Sequence, residues 1–99
     1  MTIDLILPLQ KACARVHLAA NEAIAACARG DLVAASDASE KAEDRFDVVR
    51  AVAKHSFGAM PDEQIDEACE IFMETRLAMR NAVARVRAAV TGSFRAGAS

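Results

Sequence analysis

The sequence is poor in several residue types, and each shortage narrows the possible folds and functions. Its 99 residues include no tryptophan, no tyrosine and only four phenylalanines. With no tyrosine and only two histidines, few side chains could act as general acids or bases. There is also no Ser/His/Asp arrangement and no glycine-rich phosphate loop. We therefore do not expect an enzyme.

The chain also lacks a strong charge excess and a long apolar run. The formal net charge is -2, whereas a nucleic-acid-binding domain usually has an excess of basic residues. No segment reaches the roughly 18 apolar residues that a membrane span needs. Residues 1–9 are apolar but contain Asp4 and Pro8 and begin without basic residues, so we expect no signal peptide. The odd number of cysteines, three, favours reduced thiols and a cytoplasmic protein.

What the chain does contain is alanine, together with apolar positions that repeat at helical spacing. Alanine, the strongest helix former, occurs 23 times. Gly30-Asp31 predicts the end of one helix and the start of the next, because glycine adopts the left-handed conformation and aspartate caps helix N-termini. Gly58 and Pro61 predict a second break. The sequence therefore predicts an all-α, up-down-up bundle of three long helices at about 8–29, 32–56 and 62–91.

The predicted helices form one domain that covers residues 1–92. Thr91-Gly92 predicts the end of the third helix, because glycine is common just after a helix. Residues 93–99 are small and polar, which is typical of a disordered C-terminal tail.

Charged residues on the third predicted helix follow the order that the helix dipole favours. Acidic residues from Asp62 to Glu70 occupy its start, and Arg80, Arg85 and Arg87 lie near its end. Arg76 falls within the predicted apolar stripe, at the height of Glu40 and Asp44 on the second helix. We expect these three residues to form a partly buried ion pair that fixes the register of the helices. The alternative is an arginine that binds an anionic ligand or a carboxylate of a partner.

Large apolar residues also occur outside the main stripe of each predicted helix. A helix that is apolar on more than one side usually contacts more than one neighbour. We therefore expect either a homo-oligomer or a complex with another protein, and a non-enzymatic adaptor, chaperone or assembly subunit. The predicted protein-binding residues lie on helices 1 and 3: Leu5, Leu9, Leu18, Ile71, Met73 and Leu77.

Two cysteines and a histidine suggest an alternative function. Cys13 and His17 are four residues apart and share one helix face, as metal ligands on a helix can. Cys69 falls at a similar height in an up-down-up bundle, so a small-ligand or metal-binding site is conceivable. The simpler interpretation, which we favour, is that both cysteines are small buried residues and that no metal or cofactor binds.

The junction of the first two predicted helices carries a further pattern. Residues 25–32 read AACARGDL, an alanine-rich stretch followed by Gly-Asp and a bulky apolar residue, and Glu43 and Arg45 follow on the second helix. From Leu9 to His55, about half the chain, the sequence resembles the small flagellar export chaperones of bacteria. That family usually has tryptophan where this chain has Leu32. The resemblance implies a non-enzymatic chaperone that binds an amphipathic segment of an export substrate.

Overall fold

The computed structural model describes the backbone of residues 5–98 and the side chains of residues 5–94. Within this range the chain forms three α-helices: α1 (Ile6–Ala28), α2 (Leu32–Phe57) and α3 (Asp62–Ala98). Each helix packs against the other two. The start of α1, the end of α2 and the start of α3 share one core, so the helices run up, down and up. The predicted all-α three-helix bundle is confirmed.

The turn between α1 and α2 forms as the Gly-Asp dipeptide predicts. Gly30 has a φ of 76°, in the left-handed region that favours glycine. The backbone N–H of Gly30 donates to Cys27 O at 3.0 Å, and that of Asp31 donates to Ala26 O at 3.0 Å. These two bonds satisfy carbonyls that the helix end would leave free. Asp31 then caps α2, because its Oδ1 accepts from the N–H of Ala34 at 3.1 Å.

Two helix ends differ from the sequence prediction. Helix α1 begins at Ile6, so Pro8 lies in its first turn, where a missing backbone N–H costs no hydrogen bond. Helix α3 continues to Ala98 rather than ending near Thr91, so the predicted tail is helical up to that residue. Gly92 lacks a positive φ and lies inside the helix. An isolated glycine weakens a helix by about 1 kcal/mol but does not stop it.

The core has two halves of different composition. The half near the α2–α3 turn contains bulky side chains, and we call it the large-residue core. The half near the α1–α2 turn is almost entirely alanine, and we call it the alanine core. The buried members of the large-residue core are Ile6, Leu9, Cys13, Val16, Phe46, Val49, Ala53, Met60 and Ala68. Those of the alanine core are Ala20, Ala23, Ala26, Ala35, Ala38, Ala82 and Val86.

Candidate functional site

The six predicted protein-binding residues occupy three different environments. Leu9 has no exposed surface and belongs to the large-residue core, so its assignment to a binding surface is wrong for the folded monomer. Leu5 and Ile71 are half-buried against that same core. Leu18, Met73 and Leu77 are 58%, 56% and 61% exposed. These three exposed residues lie on two separate surfaces.

Leu18 lies in a groove between the outer surfaces of α1 and α2, which we call the α1–α2 groove. It has a volume of about 550 Å³ and lies beside the large-residue core. Val48, which is 53% exposed, lines the groove from α2. The groove is lined by Pro8, Lys11, Ala12, Arg15, Leu18, Arg45, Val48 and Val52.

The charges that line the α1–α2 groove all have one sign. Lys11, Arg15 and Arg45 contribute three cations, and no carboxylate is among the lining residues. The Arg45 Nη1 donates a hydrogen bond to the backbone oxygen of Arg15 at 3.3 Å. That contact places the Arg45 guanidinium over the junction of the two helices. The groove therefore combines an apolar floor with positive charge in a chain whose net charge is -2.

Farther along the same side of the bundle, beside the alanine core, the surface changes character. The cleft between α1 and α2 is smaller there, about 300 Å³, and its apolar lining residues are alanines. Its charges are mixed, with Glu22 and Asp37 beside Arg29 and Lys41. The apolar, positively charged surface is therefore confined to the large-residue end.

Met73 and Leu77 lie on the side of α3 that faces away from the other two helices. Positions at spacings of three and four residues continue this exposed stripe in both directions. We call it the outer face of α3, made up of Glu63, Asp66, Glu70, Met73, Leu77, Arg80, Ala84 and Arg87. Acidic residues precede the two apolar residues, and arginines follow them.

Cys13 and His17 meet the buried side chain of Thr75 rather than Cys69. The His17 Nε2 lies 3.2 Å from the Thr75 Oγ1, and that hydroxyl donates to Ile71 O at 2.8 Å. The Thr75 hydroxyl oxygen can also accept a hydrogen bond from the His17 Nε2. Burial raises the pKa of the Cys13 thiol, and a hydrogen bond with Thr75 lowers it by less. The contact between His17 and Thr75 links α1 to α3.

The structure does not support a metal site at Cys13, His17 and Cys69. Cys69 is exposed, whereas Cys13 is buried. The buried position of α3 at this level is Ala68, one residue earlier than the apolar period suggests, so the Cys69 side chain lies outside the helix interface. Within the described part of the chain, no three His, Cys, Asp or Glu side chains are close enough to hold a metal ion.

The predicted ion pair of Arg76 does not form. Arg76 is half-buried, while Glu40 and Asp44 are exposed. Among the side chains of residues 5–94, the ion pair present joins Arg50 and Asp47 at 3.7 Å, both on α2. The turn of α3 at this level directs Thr75 into the core and leaves Arg76 at its edge, so the predicted register was wrong by one position.

A second apolar groove lies between the start of α2 and the last part of α3 that has described side chains. Its volume is about 740 Å³, and Val33 and Phe94 are 75% and 77% exposed. Asp37 is the one charged residue among its lining side chains. The groove is larger than the α1–α2 groove, but it has no charge pattern that would select a partner.

Sequence reasoning missed the α2 side of the α1–α2 groove. Arg45, Val48 and Val52 recur at spacings of three and four residues, so the signal for one helix face was present. The missing information was which α1 residues lie opposite, and this depends on the packing of the two helices.

No protein-family model, curated protein or solved structure matches this chain. Among the helices of residues 5–98, none has the length and apolar character needed to cross a membrane.

Proposed function

We propose that this chain is a non-enzymatic protein-binding module, an adaptor or chaperone that holds a helical segment of another protein in the α1–α2 groove. The observation that carries the proposal is the composition of that groove. It combines exposed Leu18 and Val48 with three cations and no lining carboxylate.

The shape of the groove fits a helix laid along the bundle. Two antiparallel helices packed lengthwise leave a shallow channel between them, and an amphipathic helix can place its apolar side chains in such a channel. In this channel Pro8, Ala12, Leu18, Val48 and Val52 form the apolar floor. Their positions extend over about two to three helical turns, which matches a partner with apolar residues at i, i+3 or i+4, and i+7.

The charge of the groove determines the chemistry of the partner. Lys11, Arg15 and Arg45 would attract acidic residues on either side of the partner's apolar stripe. They would repel a basic amphipathic helix of the same shape. We therefore propose an acidic amphipathic helix as the ligand, and a chaperone for such a segment as the specific role. We also place this role in the cytoplasm, where three free thiols would stay reduced.

The proposal can be tested with a pair of synthetic helical peptides. Both carry the same leucine stripe, with glutamates flanking it in one and lysines in the other. Fluorescence polarisation with the full chain should show binding of the glutamate peptide and at least about tenfold weaker binding of the lysine peptide, since like charges would then face each other.

Variants of the chain identify the binding surface. Leu18→Glu and Arg15→Glu should each weaken binding of the glutamate peptide by about tenfold or more, because each places a carboxylate in the groove. Lys54→Glu is the matched control, since Lys54 is exposed on α2 but does not line the groove. Equal affinity for both peptides, or equal effects of Arg15→Glu and Lys54→Glu, would refute the proposal.

A further inference from the structure

Charge on α3 is divided into two blocks along the helix. The first block, residues 62–74, holds six acidic residues and no basic residue. The second block, residues 75–98, holds five arginines and no acidic residue. On the outer face of α3, Met73 and Leu77 lie at the boundary between the blocks. Such a division needs a physical explanation, because mixed charges are the usual pattern on a solvated helix.

The helix dipole does not explain the full extent of the blocks. Its effect on side chains falls off within the first and last turns. Glu70 and Glu74 are the ninth and thirteenth residues of α3, and Arg76 is the fifteenth of its 37. Charges so far from either end gain little from the dipole.

Contacts within the chain do not explain the blocks either. Asp66 and Glu70 are like charges at i, i+4, as are Arg76 and Arg80, and such pairs destabilise a helix. Among the side chains described, Glu63, Glu70, Arg80 and Arg87 form no ion pair. The outer face of α3 thus has opposite charges at its two ends and no partner for either within the monomer.

We infer that the outer face of α3 binds the same face of a second copy of the chain, with the two α3 helices antiparallel. A twofold axis between Met73 and Leu77 would place each acidic block beside the basic block of the other copy. In this arrangement a residue of one copy lies at the same level as a residue of the other copy when their two residue numbers add up to about 150. This register brings Met73 to the level of Leu77 of the second copy, Glu70 to that of Arg80, and Glu63 to that of Arg87.

The twofold arrangement uses all the features of the outer face at once. Four exposed apolar side chains, Met73 and Leu77 from each copy, meet at the centre, where contact with water is lost most completely. Ala84 lies at the level of Asp66 and leaves space for the approach of the helices. Because the same patch serves both copies, the contact closes as a dimer.

A competing arrangement would place the acidic part of α3 in the α1–α2 groove of another copy. That contact would join two different surfaces, so it would extend into open chains unless a rotation closed a ring. It would also leave Arg80 and Arg87 without partners. The antiparallel α3 pair satisfies both charge blocks, and the α1–α2 groove stays free for the proposed ligand.

Reversing the charges of Glu70 and Arg80 in the full chain distinguishes the antiparallel α3 pair from the competing arrangement. We expect sedimentation velocity to show a dimer that weakens as salt is raised, because exposed ion pairs are screened. Glu70→Arg and Arg80→Glu should each weaken the dimer by about tenfold or more, since each creates like charges at two symmetric contacts. The double variant E70R/R80E should recover most of the lost affinity.

Controls keep the result specific to the outer face. Glu22→Arg reverses an exposed acid outside that face and should leave the dimer unchanged. Circular dichroism of each variant shows whether its helices are retained, and the double variant reports on pairing even if one single variant is poorly folded.

Three results would overturn the inference. The first is a wild-type chain that stays monomeric across micromolar concentrations at low salt. The second is a dimer that neither single exchange weakens. The third is a double variant as weak as the singles, as expected if Glu70 contacts the cationic α1–α2 groove.

Discussion

The two halves of the bundle use the same three helices with different core residues. In the large-residue core, Phe46 packs with Phe72 at a ring-centroid distance of 5.4 Å, and Leu9, Val16 and Val49 have no exposed surface. In the alanine core the buried side chains are alanines and one valine, so little more than a methyl group separates the helix backbones.

The two halves therefore contribute to the stability of the fold in different ways. Large side chains remove more apolar surface from water, about 25 cal/mol per Å², so most hydrophobic stabilisation comes from the α2–α3 end. Alanines contribute less by burial but favour the helix itself and permit close approach. The α1–α2 groove lies over the large-residue core, where the larger apolar side chains are buried. The alanine end presents a smaller, mixed-charge cleft.

The largest effect should come from emptying the large-residue core. Phe46→Ala removes a ring that is 1% exposed and should lower the free energy of unfolding by about 3–5 kcal/mol. Urea unfolding followed by circular dichroism measures this loss. Leu18→Ala is the control, and because Leu18 is exposed we expect a change within about 0.5 kcal/mol. Equal losses for the two variants would contradict the assignment of the core.

The alanine core should respond to the opposite change. Ala23→Leu adds volume where Ala23 has no exposed surface, and should cost about 1–3 kcal/mol through overpacking. Ala14→Leu on the same helix is exposed and should be nearly neutral by the same urea measurement. If Ala23→Leu stabilised the chain, the alanine end would be loosely packed, and the contrast between the two halves would fail.

A smaller effect on the free energy of unfolding should appear at alkaline pH, where the Cys13 thiol can ionise. Burial raises the pKa of Cys13 above its ordinary value of 9.0, so the folded state retains a proton that the unfolded state loses. Stability from this thiol is fully present below pH 9.0 and declines as pH rises through the folded-state pKa. The difference in unfolding free energy between wild type and Cys13→Ala should therefore shrink above pH 9.0. If this difference in unfolding free energy did not change with pH, the pKa of Cys13 would be the same in the folded and unfolded states, and the burial effect would be refuted.

Much of the fold could be predicted from the sequence because its signals are local. Gly30 and Asp31 determine the first turn through their own backbone and side-chain preferences, and the structure contains the expected bonds. The end of α3 could not be predicted, because Gly92 resembles a helix stop but is only a weak interruption. The residue type alone does not show which of the two glycines ends a helix. In the structure Gly30 adopts a positive φ at the end of α1, whereas α3 continues past Gly92.

The surfaces could be predicted only in part, because they depend on which residues of different helices meet. Leu18, Met73 and Leu77 were predicted at binding surfaces and are exposed. The prediction that Leu9 lies on a binding surface was wrong, because an apolar residue near the start of a helix can face either the core or the solvent. A shift of one position on α3 placed Thr75, not Arg76, between the helices and left Cys69 outside, which removed both the predicted ion pair and the conceivable metal cluster.

The central claim is that the α1–α2 groove and the outer face of α3 are separate surfaces with different partners. Methyl nuclear magnetic resonance of the full chain, titrated with the glutamate-flanked peptide, tests it directly. We predict shifts at the methyl groups of Leu18, Val48 and Val52, with those of Met73 and Leu77 unchanged. Shifts at Met73 and Leu77, or none at Leu18 and Val48, would contradict the division.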